Sequence, residues 1–298
     1  MKDFEYHSPA TLEEACQLLK KYDGQAKVLA GGTDLIPGLY RREIVPEQVI
    51  NIKGIPSLNF IANEESKGLV LGSLVTFNEI ISSPIIEEHY PILKEVAEKI
   101  ASHQVRNLAT IGGNLCNAAP SADSAPILIA LDSTVALIEP GGKERTLPLE
   151  KFFIGPGETA LAPGEILIQV HIPLLKPRTG VSYLKQTSRQ ALEIAVVGVA
   201  ALVRLEKKTE KCSLVRLVIG ACASTPLRIP AAEKILVGKK IGSQDIEAAA
   251  KAASEAVKPI TDVRASKLYR KEMVRVQCKR SLEEAISRAK SSPETGME

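Results

Sequence analysis

Two stretches of this sequence place a glycine pair after a short apolar run: Lys27-Val28-Leu29-Ala30-Gly31-Gly32-Thr33-Asp34 and Ala109-Thr110-Ile111-Gly112-Gly113-Asn114. Glycine has no Cβ, so its main-chain N–H can approach a bound group closely. It also tolerates the positive φ that lets successive N–H groups converge on an anion. Thr and Asn beside the glycines add side-chain donors at the same mouth. Two such loops facing each other suit the two phosphates of a dinucleotide. Either loop taken alone is equally what a tight turn looks like. Neither fits GxGxxG or the GxxxxGK(S/T) phosphate loop, so Rossmann and nucleoside-triphosphatase readings lose support.

Other reactive residue types are present without a reactive arrangement. The five cysteines (Cys16, Cys116, Cys212, Cys222, Cys278) are odd in number, far apart and contain no CxxC pair, which suits neither a disulfide framework nor a zinc or iron–sulfur site. The four histidines (His7, His89, His103, His171) lack ligand spacing and, like Cys116, read as structural. No nucleophile–base–orienter set is visible, so no catalytic residue and no metal ligand are assigned. Net charge is +3 with both signs spread along the chain, and aromatics are only 4%, which argues against a nucleic-acid partner. Met1 to Tyr6 carry acids and no apolar core of a secretory signal, and the apolar run Ile194 to Val203 is too short to span a bilayer. A cytoplasmic location without a membrane segment is expected.

The elements around these loops follow from periodicity and turn signals. Thr11-Leu-Glu-Glu14 is a capping box that opens an amphipathic helix ending near Gly24. Short strands at 27–30 and 49–52 complete a βα-type start of about 55 residues. A strand at 69–74, a second capping box at Thr76-Phe-Asn-Glu79 and a helix from Pro91 to Ile100 follow. Residues 108–117 read as a glycine-rich, polar-edged segment, and 134–138, 144–147 and 165–172 as β segments. The best boundary is Pro173 to Gly180. Beyond it come three strands, at 181–186, 194–205 and 214–221, then helical runs at 230–237, 244–257 and about 263–289. The polar end, Ser291 to Glu298, reads as a flexible tail.

The literal content of the glycine loops goes further. Ala30-Gly-Gly-Thr-Asp34 together with Gln104-Val-Arg-Asn-Leu-Ala-Thr-Ile-Gly-Gly-Asn114 closely resembles the FAD-binding (medium) subunits of molybdenum hydroxylases, the xanthine dehydrogenase and carbon monoxide dehydrogenase flavoprotein family. Ser121-Ala-Asp123, Gly164-Glu-Ile-Leu167, Tyr183-Leu-Lys-Gln186 and Arg264-Ala-Ser-x-x-Tyr-Arg-x-x-Met273 extend the resemblance over nearly the whole chain. It implies an α+β, PCMH-type FAD-binding fold. A small α/β subdomain (about 1–56) and a larger antiparallel α+β subdomain (57–176) would be followed by a C-terminal domain (177–290) with a three-stranded sheet and helices. Non-covalent FAD would lie between the first two, lined by Lys27 to Asp34 and Ala109 to Asn114. By the same carry-over Asp123 would meet adenosine or ribityl hydroxyls, Ile166 would flank the cofactor and Lys185 would lie near the flavin ring. Taken as plain residues, Asp123 caps the helix entering at Ala125, Lys185 is a solvated strand lysine and Arg106 is an internal ion-pair partner.

In such enzymes the molybdenum cofactor sits in a large partner subunit and two 2Fe–2S clusters sit in a small one. Electrons pass from the clusters to FAD and on to NAD or another acceptor. Thr33-Asp34 replaces the His-Ser common in the carbon monoxide dehydrogenase branch, and the cysteine-bearing insertion of the 4-hydroxybenzoyl-CoA reductase branch is missing. Both lean toward a purine, another N-heterocycle or an aldehyde as substrate of the complex. Two rivals stand beside this reading: a self-sufficient flavin oxidase of the same fold, and a flavin-free scaffold subunit.

Overall fold

A computed structural model describes residues 1–189 and 193–292. The chain begins with β1 (Glu5–His7), α1 (Leu12–Lys21), β2 (Ala26–Leu29), α2 (Leu35–Arg41) and β3 (Gln48–Asn51). These strands form a parallel sheet in the order β1-β3-β2. Thr11 caps α1 through its side chain, as the sequence motif requires. The sequence gives no sign of α2, because Pro37 and Gly38 fall inside it. Proline is tolerated there because first-turn N–H groups lack helical partners in any case. Ile44 packs where a Gly38 side chain would stand.

Next come β4 (Ile61–Glu64), β5 (Gly68–Gly72), α3 (Phe77–Ser82), α4 (Pro84–His89), α5 (Pro91–Glu98), α6 (His103–Arg106), α7 (Ile111–Asn117), α8 (Ser124–Ala130), β6 (Thr134–Ile138), β7 (Glu144–Pro148), the small hairpin β8 (Phe153–Gly155) and β9 (Glu158–Thr159), and β10 (Ile166–Pro173). An antiparallel five-stranded sheet runs β4-β5-β10-β6-β7. The capping box at Thr76 and Glu79 forms in full and starts α3. The glycine-rich segment at 108–117 is mostly helix: Thr110 caps α7, and both glycines lie in its first turn.

The C-terminal part holds β11 (Thr179–Gln186), β12 (Val197–Leu205), β13 (Cys212–Gly220), β14 (Leu227–Arg228), α9 (Pro230–Leu236), α10 (Ser243–Ala256) and α11 (Lys267–Ser291). Its sheet has four strands, not the expected three, in the order β11-β12-β13-β14. The extra strand is two residues long and sits between Pro226 and Pro230, where proline marks a turn and no period can register. Both faces of β12 are buried. Val197, Val199, Ala201 and Val203 pack with α10 and α11, and Ala200 and Leu202 join Tyr183 in the core built around α5 and α8. Of the expected tail, Ser291 closes α11, and 293–298 lie outside the described residues. Among the described residues no helix is long and apolar enough to cross a membrane.

Candidate functional site

A cavity of about 610 Å³ opens between the parallel sheet and the five-stranded sheet. One wall is the exit of β2 and the turn into α2. Lys27, Val28, Ala30, Gly31, Gly32, Thr33 and Asp34 line it, while Leu29 points into the core at 7% exposure. Facing it stand Ala109, Thr110, Gly112, Gly113 and Asn114, with Ile111 buried behind them. The two segments touch through their backbones. A Cβ at Gly31 would lie 2.0 Å from the Leu108 carbonyl oxygen, and one at Gly113 would lie 3.7 Å from the Ala30 Cβ. Gly32 adopts φ +77°, which turns the chain toward α2.

The two walls differ in what they offer a ligand. Among the described residues, no protein acceptor takes the main-chain N–H of Gly31, Gly32, Thr33 or Asp34. A run of free N–H groups in a glycine turn is an anion nest. In the second wall the N–H groups of Ile111 to Asn114 are already engaged. Ile111 donates to the Val75 carbonyl, Gly112 to that of Ser73, Gly113 to Thr110 Oγ1 and Asn114 to the Thr110 carbonyl, all at 2.9–3.0 Å. The expectation that both loops donate amides is therefore corrected. The carbonyls of Val75 and Ser73 and the cap residue Thr110 take those of Ile111 to Asn114, and this segment acts as a buttress. Gly112 serves packing, since its Cβ would come within 2.5 Å of Ser73 Cβ.

Sequence reasoning found Ile166 in the third wall but missed most of that wall, which runs from Leu161 to Leu167, together with Tyr22, Asp23 and Gly24 beyond α1. Arg145 holds this wall. Its guanidinium donates to both Glu165 oxygens and to the Ala160 carbonyl at 2.6 Å, and Glu165 also accepts from Ala162 N–H at 2.7 Å. The bonded Arg145 keeps the Glu165 carboxyl below its usual range against the opposing effect of burial. Lys27 is the cation among the wall residues. Cys116 also lines the cavity. Burial pushes its thiol up to about 12, so it is no thiolate nucleophile.

Asp123 and Lys185 stand apart from the cavity wall. They form a buried ion pair at 2.7 Å, and Tyr183 Oη donates to the other Asp123 oxygen at 2.6 Å. Burial pushes the Asp123 carboxyl up, while Lys185 and Tyr183 pull it back. Asp123 makes no side-chain cap to α8, and Lys185 is not a solvated strand residue. The chain neighbour of Asp123 reaches the wall, where Ser124 Oγ donates to Asn114 Oδ1 at 2.5 Å. Arg106 makes no ion pair among the described residues. It donates to the carbonyls of Glu98 and Ile100 and to Asn78 Oδ1. Among the described residues no cluster of three metal-type ligands exists.

This geometry suits an elongated ligand with an anionic centre. The volume is that of a cofactor pocket, ordinarily about 300–1,000 Å³.

Comparison with known proteins points the same way. Residues 2–175 match the FAD binding domain in molybdopterin dehydrogenase, and residues 182–285 match the CO dehydrogenase flavoprotein C-terminal domain. The xanthine dehydrogenase FAD-binding subunit of Escherichia coli O157:H7 is 36% identical over 97% of this chain and 98% of its own length. The carbon monoxide dehydrogenase medium chain of Hydrogenophaga pseudoflava is 35% identical over 96% and 98%. A solved carbon monoxide dehydrogenase from Hydrogenophaga pseudoflava, lacking the Mo-pyranopterin moiety, superposes with a TM-score of 0.92 at 36% identity over 96% of this chain and 98% of that one. Quinoline 2-oxidoreductase from Pseudomonas putida 86 gives a TM-score of 0.89 at 28% identity over 97% and 99%.

Proposed function

The chain belongs to the FAD-binding subunits of the xanthine dehydrogenase and carbon monoxide dehydrogenase family, and we propose that its cavity holds FAD non-covalently as the electron exit of a molybdenum hydroxylase. The observation that carries this reading is the run of free N–H groups from Gly31 to Asp34, pressed against the buttressed wall at Gly112 and Gly113. Those amides would hold the pyrophosphate, with Lys27 as the available wall cation. Tyr22 to Gly24 and the Leu161–Leu167 wall would enclose the ligand from the remaining side. Asn114 and Asn117 would complete the lining, with Asn114 held by the Ser124 hydroxyl.

FAD supplies the ability to accept electrons singly and to release them as a pair. The residues of this chain bind it, orient it and shape its electrostatics. Electrons enter from the 2Fe–2S clusters of a small partner subunit, after substrate oxidation in a large molybdenum subunit. From the flavin they pass to NAD or another acceptor. The chain divides into the FAD-binding unit 1–176 and the C-terminal unit 177–290. Five free cysteines without a disulfide suit a reducing cytoplasm. Thr33-Asp34 in place of His-Ser favours an N-heterocycle or aldehyde as substrate of the complex.

The test is purification of the chain with and without co-purifying subunits. Flavin absorbance is expected, together with substrate oxidation only when molybdenum and iron–sulfur subunits are present. Turnover of xanthine, nicotinate or an aldehyde by the chain alone would favour the self-sufficient oxidase, and a colourless preparation would favour the scaffold.

The Arg145–Glu165 clamp yields a second expected result. The carboxyl has a lowered pKa in the fold, so its contribution is complete above the ordinary glutamate value of about 4.3 and is lost as pH falls through the lowered value. Arg145 is half exposed, which limits the pair to about 1 kcal/mol. Arg145→Met should therefore speed flavin release about fivefold at neutral pH, as followed by fluorescence of the freed flavin. Wild type should reach comparable rates only in the acid range. Equal release at neutral pH would mean that this wall does not hold the cofactor.

A further inference from the structure

Ser124 opens α8, a helix whose residues from Ser124 to Ala130 are all buried. It is 3% exposed, and its hydroxyl donates to Asn114 Oδ1 at 2.5 Å. Asn114 belongs to α7, where its own main-chain N–H is bonded to the Thr110 carbonyl. The bond therefore joins two rigid elements. The C-terminal sheet holds the segment around α8 at both ends: Ala221 N–H donates to the Pro120 carbonyl at 2.8 Å, and Arg216 reaches Asp132 at 2.6 Å.

An asparagine side chain accepts at one end and donates at the other. Among the described residues the Ser124 hydroxyl has no other acceptor, so turning the amide over would leave a buried proton unpaired. The Asn114 carbonyl oxygen thus stays on Ser124, and the amide NH2 group is left over. Among the described residues that group has no protein acceptor, yet it is not buried, and Asn114 lines the cavity. Its neighbour Gly113 faces the first wall, since a Cβ added there would lie 3.7 Å from the Ala30 Cβ. Asn114 is one residue from the place where α7 meets the turn that carries the free N–H groups of Gly31 to Asp34.

We propose that Ser124 is a positioning residue for the cofactor: by holding the Asn114 carbonyl, it turns the Asn114 amide N–H groups into the cavity as further donors to the pyrophosphate. This inference rests on the FAD reading above. Ser124 does not touch the ligand; it fixes which end of Asn114 the ligand meets.

The experiment is the rate of flavin release from the flavin-loaded protein, followed by fluorescence, in a double-mutant cycle of Ser124→Ala and Asn114→Ala. Ser124→Ala alone should speed release about fivefold, the worth of one ordinary hydrogen bond. In the Asn114→Ala background the same change should alter release by less than about twofold, because no amide is left to orient. Ser124→Thr keeps the hydroxyl and should release flavin at about the wild-type rate. Equal acceleration by Ser124→Ala in both backgrounds would indicate packing alone and overturn the proposal. So would an unchanged rate in Ser124→Ala, or a Ser124→Thr protein that releases flavin as fast as Ser124→Ala. A wild-type protein without flavin would instead overturn the parent reading.

Discussion

A single methyl group at Gly31 should empty the cavity of flavin. An ideal Cβ there would lie 2.0 Å from the Leu108 carbonyl oxygen, 2.8 Å from its carbon and 3.1 Å from the Ala109 Cα. All three are backbone atoms, so no rotamer change relieves the clash. The turn at 31–34 must instead move away from the second wall, and with it the free N–H groups that face the pyrophosphate. Overpacking of this kind costs about 1–3 kcal/mol, and the displaced amides lose charge-assisted bonds worth about 1.5–3 kcal/mol each. Flavin affinity in Gly31→Ala should therefore fall by roughly 100-fold or more. Flavin lost on gel filtration is the readout, with retained secondary structure as the control. Gly54→Ala, where nothing lies within 4 Å of the added carbon, should keep its flavin. Full occupancy in Gly31→Ala would remove the reason for placing the pyrophosphate at this turn.

Asp123→Ala should be the most destabilising change near the site. It leaves the Lys185 ammonium buried without its carboxylate and the Tyr183 hydroxyl without its acceptor. Breaking a buried pair from one side costs about 3–5 kcal/mol, chiefly because the remaining charge stays desolvated. For a chain of this size that is a fall in Tm of roughly 6–20 °C. The double variant Asp123→Ala with Lys185→Met should recover much of the loss, since it removes both charges together. Thermal unfolding followed by circular dichroism decides the matter. A single variant melting within a degree or two of wild type would mean that the pair is solvated in solution.

The sequence carried the anion-binding character of the first loop openly, because Gly31 and Gly32 are needed for reasons local to the turn: close approach and a positive φ. It also carried β10 and the run of β12, where apolar residues repeat or cluster over many positions. What it did not carry depends on partners distant in the chain. The second glycine pair looks like the first, yet its N–H groups are used by Val75, Ser73 and Thr110, and only the fold shows that. Asp123 and Lys185 lie 62 positions apart, and nothing local marks them as a pair. The wall at Leu161–Leu167 is a proline- and glycine-containing turn, and its role depends on Arg145 reaching across from β7. β14 and α2 were hidden by prolines that sit where the missing N–H does no harm.

The most direct test of the central claim is identification of the flavin released by acid from the purified protein. The cavity is lined by the wall at Leu161–Leu167, the turn from Gly31 to Asp34, and Asn114 and Asn117. It is built for a dinucleotide, and its one wall cysteine has its thiol pushed up to about 12. The account predicts that chromatography of the acid supernatant yields FAD in amounts equimolar with the chain, with no flavin left in the protein pellet. Absence of flavin, FMN in place of FAD, or flavin remaining bound to the denatured chain would contradict it.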